Sequence, residues 1–122
     1  MARPDDLTRL RHILDAAEKA GGFVGGRARH DLDTDEMLSL ALVRLLEIIG
    51  EAAAGISPGL RRKYPDLPWQ QMTGMRNRLI HGYFDVNPEL IWRTVTEELP
   101  PLREGVRKAL ENETETTGGR RP

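Results

Sequence analysis

The chain has 122 residues, with 18 Lys and Arg against 19 Asp and Glu for a net charge of -1 at pH 7, which is length for one domain with a single core and little room for another. It holds no cysteine, so disulfide frameworks and thiolate metal sites are excluded and a reducing cytoplasm is the expected compartment. No apolar run approaches the ~20 residues that span a bilayer, the Asp5-Asp6 start is unlike a signal peptide, and the charge balance offers no general attraction to nucleic acid, so any RNA contact must come from a local patch.

Leu7, Leu10, Leu14, Ala17 and Val24 recur at helical spacing and predict a first helix from about Asp5 to Val24, loosened by Gly21-Gly22 and Gly25-Gly26. Asp33 followed by Glu36 has the form of a capping box that opens a second helix. On that helix Leu38, Ala41, Leu42, Leu45, Ile48, Ile49 and Ala52 make one broad face, while Met37, Leu40, Val43 and Leu46 carry apolar surface around to another. A helix apolar on most sides is expected to be buried on most sides, here by a central position and by contact with a second copy of the chain. Small residues from Gly50 to Gly55 would let a neighbour approach closely, and Gly55 is placed to stop the helix. Arg44, Glu47 and Glu51 form one stripe at spacings of three and four, which either faces a cleft or pairs on the surface.

Ser57-Pro58 starts a short helix that ends near Tyr64-Pro65 and carries the basic cluster Arg61-Arg62-Lys63; Pro68 fits the first position of the helix that follows. Asn87-Pro88 caps a last helix with Leu90, Ile91, Trp92, Val95 and Leu99, and Pro100-Pro101 should kink or break it before Leu102, Val106 and Leu110 resume the stripe. From Asn112 to Pro122 the chain has nothing to bury and reads as a disordered tail, leaving 1–111 as the helical domain. Trp69 and Trp92 read as core anchors. His12 and His30 stand apart from any partner at ligand spacing, so no metal and no other cofactor is expected. With no strand pattern and no internal repeat, the class is all-α.

The most informative run is Arg76-Asn77-Arg78-Leu79-Ile80-His81-Gly82-Tyr83-Phe84, which brings a guanidinium, an amide, an imidazole and a phenol together. On a helix, Asn77 and His81 are four apart and share a face, and Arg76 is rotated roughly 140° from His81, so it must curl around the helix or meet a histidine of another subunit. Gly82 would end that helix, putting His81 in its last turn and Tyr83 just past it. Metal-free RNA cleavage needs a base for the 2′-hydroxyl, an acid for the leaving oxygen and positive charge over the phosphorane, roles open to an imidazole and a guanidinium.

This run resembles the HEPN superfamily, and within it the small HepT toxins of HepT/MntA toxin–antitoxin modules, whose pattern of Arg, four residues, His, any residue, Tyr is filled here by Arg76, His81 and Tyr83. Arg44 to Ala52, Pro68-Trp69, Gly74-Met75 and Trp92 extend the likeness over nearly the whole chain. The resemblance implies a HEPN-type up-and-down bundle of four to five helices, a homodimer with its cleft across the interface, and a metal-independent ribonuclease toxin of a type VII system acting on tRNA or mRNA. Arg76 and His81 would be catalytic with Asn77 assisting; from the residues themselves, Arg78, Arg44, Arg61 and Arg62 are the candidates to bind RNA phosphates, the Arg61-Arg62-Lys63 cluster being open also to a plain solvated surface. Tyr83 would be where an MNT-type nucleotidyltransferase antitoxin attaches AMP and so neutralises the toxin. The alternative is a non-catalytic HEPN module that holds nucleotide or RNA for a minimal nucleotidyltransferase, with Arg76 and His81 only binding phosphate.

Overall fold

The first helix, α1 (Pro4–Val24), places Leu10, Ile13, Ala17 and Ala20 on one fully buried line, the three-and-four spacing that makes a helix stripe. Gly21 and Gly22 stay within it, because its packed face outweighs the ~1 kcal/mol that glycine costs in a helix interior. The computed structural model describes residues 4–75, 77, 80, 81 and 85–118, and of residues 4, 80, 81, 85, 86 and 116–118 only the backbone.

A one-turn helix α2 (Asp31–Thr34) precedes α3 (Glu36–Ala54), whose N-cap is Asp35, accepting a hydrogen bond from the Leu38 amide. The cap is therefore Asp35 and not the Asp33 of the expected capping box: α2 consumes Asp33, and the next carboxylate in extended conformation takes the orphan amide. Ser57 caps α4 (Pro58–Lys63), Pro68 precedes α5 (Trp69–Thr73), and Asn87 accepts from the Leu90 amide to start α6 (Pro88–Arg93).

From α6 the chain passes through a π-helical turn, Thr94–Glu98, into α7 (Leu99–Gly118) without leaving helical dihedrals. The break expected at Pro100-Pro101 is thus a change of winding. Both prolines fall in the first turn of α7, where their missing amides are not needed, and the π turn just before them re-spaces the carbonyls that they cannot satisfy. Helix α7 also runs past the boundary expected at Asn112: Glu113 is buried, accepts from the Tyr64 hydroxyl and pairs with Lys63 at 2.7 Å, while Asn112 donates to the same hydroxyl at 2.6 Å. A polar segment has something to bury when its partners lie on another helix.

Helix α1 packs between α3 and α7, and α3 rests on α1 and α5, so Leu42, Leu46, Ile49, Leu60, Met72, Met75, Ile91 and Val95 close one core. Val43 and Leu46 of the second apolar face of α3 are buried, yet Met37 is 81% and Leu40 59% exposed. Trp69 anchors α5 in the core with its indole N–H on the Tyr64 carbonyl at 2.8 Å, and Trp92 packs half-buried against it. The class is all-α, with one addition that the alternation of residues did not announce: a two-residue antiparallel ladder, β1 (Ile80–His81) with β2 (Asp85–Val86). Among the described residues no helix is long and apolar enough to cross a membrane.

Candidate functional site

Buried Trp69, Met72 and Met75 fix the approach to the Arg-x4-His run. Gly74 caps α5, helical conformation returns at Met75 and Asn77, and Asn77 is exposed. The backbone then becomes extended at Ile80 and His81, in register Ile80 with Val86 and His81 with Asp85. This corrects the placement of His81 in the last turn of a helix, four residues from Asn77 on one face. Ile80 and Val86 are β-branched, which suits them to a paired strand better than to a helical turn. Arg76, Arg78 and Tyr83 lie outside the described residues.

The ladder introduces Asp85 as a residue that helical spacing could not suggest. Directly opposed residues of an antiparallel pair are nearest cross-strand neighbours, and His81 and Asp85 hold those positions. The signal was present in the chain as Ile80-His81 and Asp85-Val86 on either side of a glycine-containing connection.

The hairpin sits at one end of the bundle, where Arg29 bridges two elements: its Nε donates to Glu89 at 2.7 Å and its Nη1 to Asp33 at 3.1 Å. Those two carboxylates, Asp33 first, raise the guanidinium pKa above its ordinary value. Arg27 pairs with the α3 cap Asp35 at 3.0 Å, and the Leu38 amide followed by Arg27 holds that carboxyl below the usual range. So Arg27 and Arg29, although basic, are already neutralised by acids beside them.

Two of the residues expected to contact phosphate also have partners within the chain. Arg61 turns inward, and its Nη2 donates to the carbonyls of Ala53 at 2.8 Å and Ala54 at 3.2 Å, serving the C-terminal end of α3 where carbonyls lack helical partners. Arg44 stands 3.5 Å from Glu47 and 3.3 Å from Glu51, so the stripe on α3 is an ion-paired ladder. Arg44 keeps an exposed guanidinium in these surface pairs, its side chain 62% exposed, whereas Arg61 directs its Nη2 to backbone carbonyls. Arg62 is exposed and pairs with no carboxylate among the described residues. Lys63 is held charged by Glu113. No cluster of three or more His, Asp or Glu side chains stands at metal-ligating distance among the described residues.

Comparison with known proteins falls on this same architecture. The model of the family described as "Ribonuclease HepT-like" matches residues 13–109, a span that contains the core helices and the whole Arg-x4-His-x-Tyr run. A protein of Caldanaerobacter subterraneus subsp. tengcongensis, provisionally named an RNase, is 41% identical over 104 residues, covering 85% of this chain and 93% of its own. A Methanocaldococcus jannaschii protein, also provisionally named an RNase, is 36% identical over 106 residues, 87% of this chain and 97% of its own. The "Probable ribonuclease HepT" of Thermococcus cleftensis is 38% identical over 94 residues, 77% of this chain and 86% of its own. No solved structure matches the chain.

Proposed function

Because the chain belongs to the HepT-like ribonuclease family, we propose that it is a ribonuclease toxin that cleaves RNA without a metal through Arg76 and His81. The observation that carries this reading is an intact Arg76-x4-His81-x-Tyr83 run inside the span matched by the family model. In the proposed reaction a base takes the 2′-hydroxyl proton, the 2′-oxygen attacks phosphorus, and the bond to the 5′-oxygen breaks as an acid protonates that leaving oxygen. The products are a 2′,3′-cyclic phosphate and a 5′-hydroxyl. Arg76 stabilises the phosphorane with its two-pronged fork, and His81 transfers a proton.

One run supplies one imidazole, and two copies related by a twofold axis supply two, so the proposed enzyme is a homodimer whose cleft contains both. Met37 and Leu40, exposed at the start of α3, offer that dimer apolar surface close to the bundle end that bears the hairpin. Asn77 binds RNA or orients the imidazole from its exposed position. Phosphate contacts are proposed for Arg62, Arg76 and Arg78, with Arg44 exposed on α3 and Arg61 beside the end of that helix as the further expected ligands. Tyr83 is the proposed site of AMP transfer by a nucleotidyltransferase antitoxin, which would put phosphates beside His81 and Arg76 and block the RNA. A cytoplasmic tRNA or mRNA is the proposed substrate.

The test is incubation of the purified chain with total tRNA in EDTA, wild type against His81→Ala, following product ends by mass. Cyclic-phosphate ends from wild type and a loss of roughly a hundredfold to ten-thousandfold in rate for the variant are expected. Intact RNA in both, with phosphate binding that requires Arg76 and His81, would instead establish the non-catalytic module.

A further inference from the structure

The groove between α1 and α3 is edged by Asp5, Arg9, His12, Asp15 and Lys19 of α1. Their charges run minus, plus, histidine, minus, plus. Counted from His12, Arg9 and Asp15 lie three residues away on either side, and Asp5 and Lys19 lie seven away. A copy of the same helix laid antiparallel about a twofold axis through His12 would therefore set Asp5 against Lys19 and Arg9 against Asp15 on both halves, with no like charges opposed. Thr8, four residues before His12, is exposed in the groove, and Ala16, four residues after it, is a small residue buried beneath it, so no bulky side chain stands between the two charge pairs on either half.

Within one chain these charges are only partly occupied. Asp15 and Lys19 pair at 3.2 Å, Asp5 and Arg9 at a loose 3.8 Å, and the Asp5 side chain remains 82% exposed. The α3 wall of the groove is the exposed Glu51 and half-buried Ile48 over the nearly buried Leu45 and Ala52, and a neighbouring α1 can bring its exposed Thr8 and His12 against it. We propose that this seam is a self-association surface, occupied by α1 of a second copy of the chain docked antiparallel about His12.

Such a contact differs from the dimer proposed for catalysis. Asp6 binds Ser57, and the Arg9 side chain lies against Gly55, so the N-terminal half of α1 belongs to the bundle end opposite the Arg29 bridge and the hairpin. Antiparallel docking about His12 sends the two hairpins away from each other. The seam therefore joins catalytic pairs to one another, and it stands or falls independently of the ribonuclease reading.

The experiment is sedimentation velocity on the full chain at low salt, comparing wild type with Asp5→Lys, Lys19→Glu and the double variant, with circular dichroism to verify folding. Each single change opposes like charges across the axis and should halve the assembly mass, whereas the double change restores opposite charges and should restore the wild-type mass. A merely local role predicts the reverse order, because the double change disrupts both intrachain pairs and would be the most disturbed. Molar salt should bring wild type to the mass of the single variants. A wild-type mass that the single changes leave intact, a monomeric wild type, or a double variant no heavier than the singles would overturn the proposal. Unchanged tRNA cleavage by Lys19→Glu would separate this contact from the catalytic pair.

Discussion

The two ends of this bundle are held by different chemistry. Where α1 begins and α3 ends, the ties are buried: Asp6, 1% exposed, accepts from both the amide and the hydroxyl of Ser57 at 2.9 and 2.7 Å, Arg61 serves the carbonyls that close α3, and Glu113 receives Lys63 and Tyr64. Where α1 ends and α6 begins, beside the hairpin, the ties are ion pairs of Arg27 and Arg29 with Asp35, Asp33 and Glu89 at the surface. Buried polar bonds are costly to leave half-made, whereas exposed ion pairs are screened and contribute little. The end that bears the Arg-x4-His-x-Tyr run is the weakly tied one, and regions that must accommodate a ligand are drawn from the less stable parts of a fold.

That contrast is sharpest at Asp6. Asp6→Ala leaves the Ser57 amide and hydroxyl without their acceptor and should cost about 1–3 kcal/mol in chemical denaturation; a negligible cost would break the comparison at its stronger side. Glu113→Gln tests the same end through pH. Burial raises the Glu113 carboxyl pKa, but the hydrogen bonds from Lys63 and Tyr64 outweigh it and bring the group below its usual 4.5. A carboxyl lowered in the folded state stabilises at pH above the unfolded value and loses that contribution as pH falls through the folded one. Wild type should therefore lose stability below about pH 4.5 more steeply than Glu113→Gln does, and parallel acid limbs in the two melting series would remove Glu113 from the account.

At the hairpin end the expected effects are smaller. Asn87→Ala removes the cap of α6 and should cost about 1 kcal/mol, read from the shift in denaturant midpoint at constant slope. Arg29→Ala should have the smallest effect, visible as a lowered melting temperature in dilute buffer and absent in molar salt, where the screening length is about 3 Å. If Arg29→Ala proved as damaging as Asp6→Ala, or insensitive to salt, the two ends would not differ in the way described.

Much of the helical layout was legible because local chemistry specifies it. The stripe of Leu7, Leu10, Leu14, Ala17 and Val24 announced α1 by its period, although the line it buries most deeply is Leu10, Ile13, Ala17 and Ala20, and Ser57-Pro58 and Asn87-Pro88 are start signals whose first side chains do cap α4 and α6. The misreadings share a cause. Asp33 and Asp35 are equivalent caps on paper, and only the one-turn α2 decides between them. Asn112 and Glu113 look like tail residues until Tyr64 and Lys63, about fifty positions earlier, are seen to meet them. The inward turn of Arg61 onto the α3 carbonyls has no signal in the spacing, and for Arg44, left open between a cleft and a surface pair, the structure gives the pair. His81 looked helical because only the spacing to Asn77 was available, whereas its strand partner Asp85 is defined by a backbone register.

Residue order alone determined that the segments of α1, α3, α4 and α6 are helices, that α3 is apolar on one broad face, and that Arg76, His81 and Tyr83 occur at the spacing of the HepT-like family, since these depend on neighbours within a turn or two. Tertiary structure decided which cations are free. A charge seeks the nearest opposite charge or open carbonyl in space, and for Arg29, Arg61 and Lys63 that partner lies on another element.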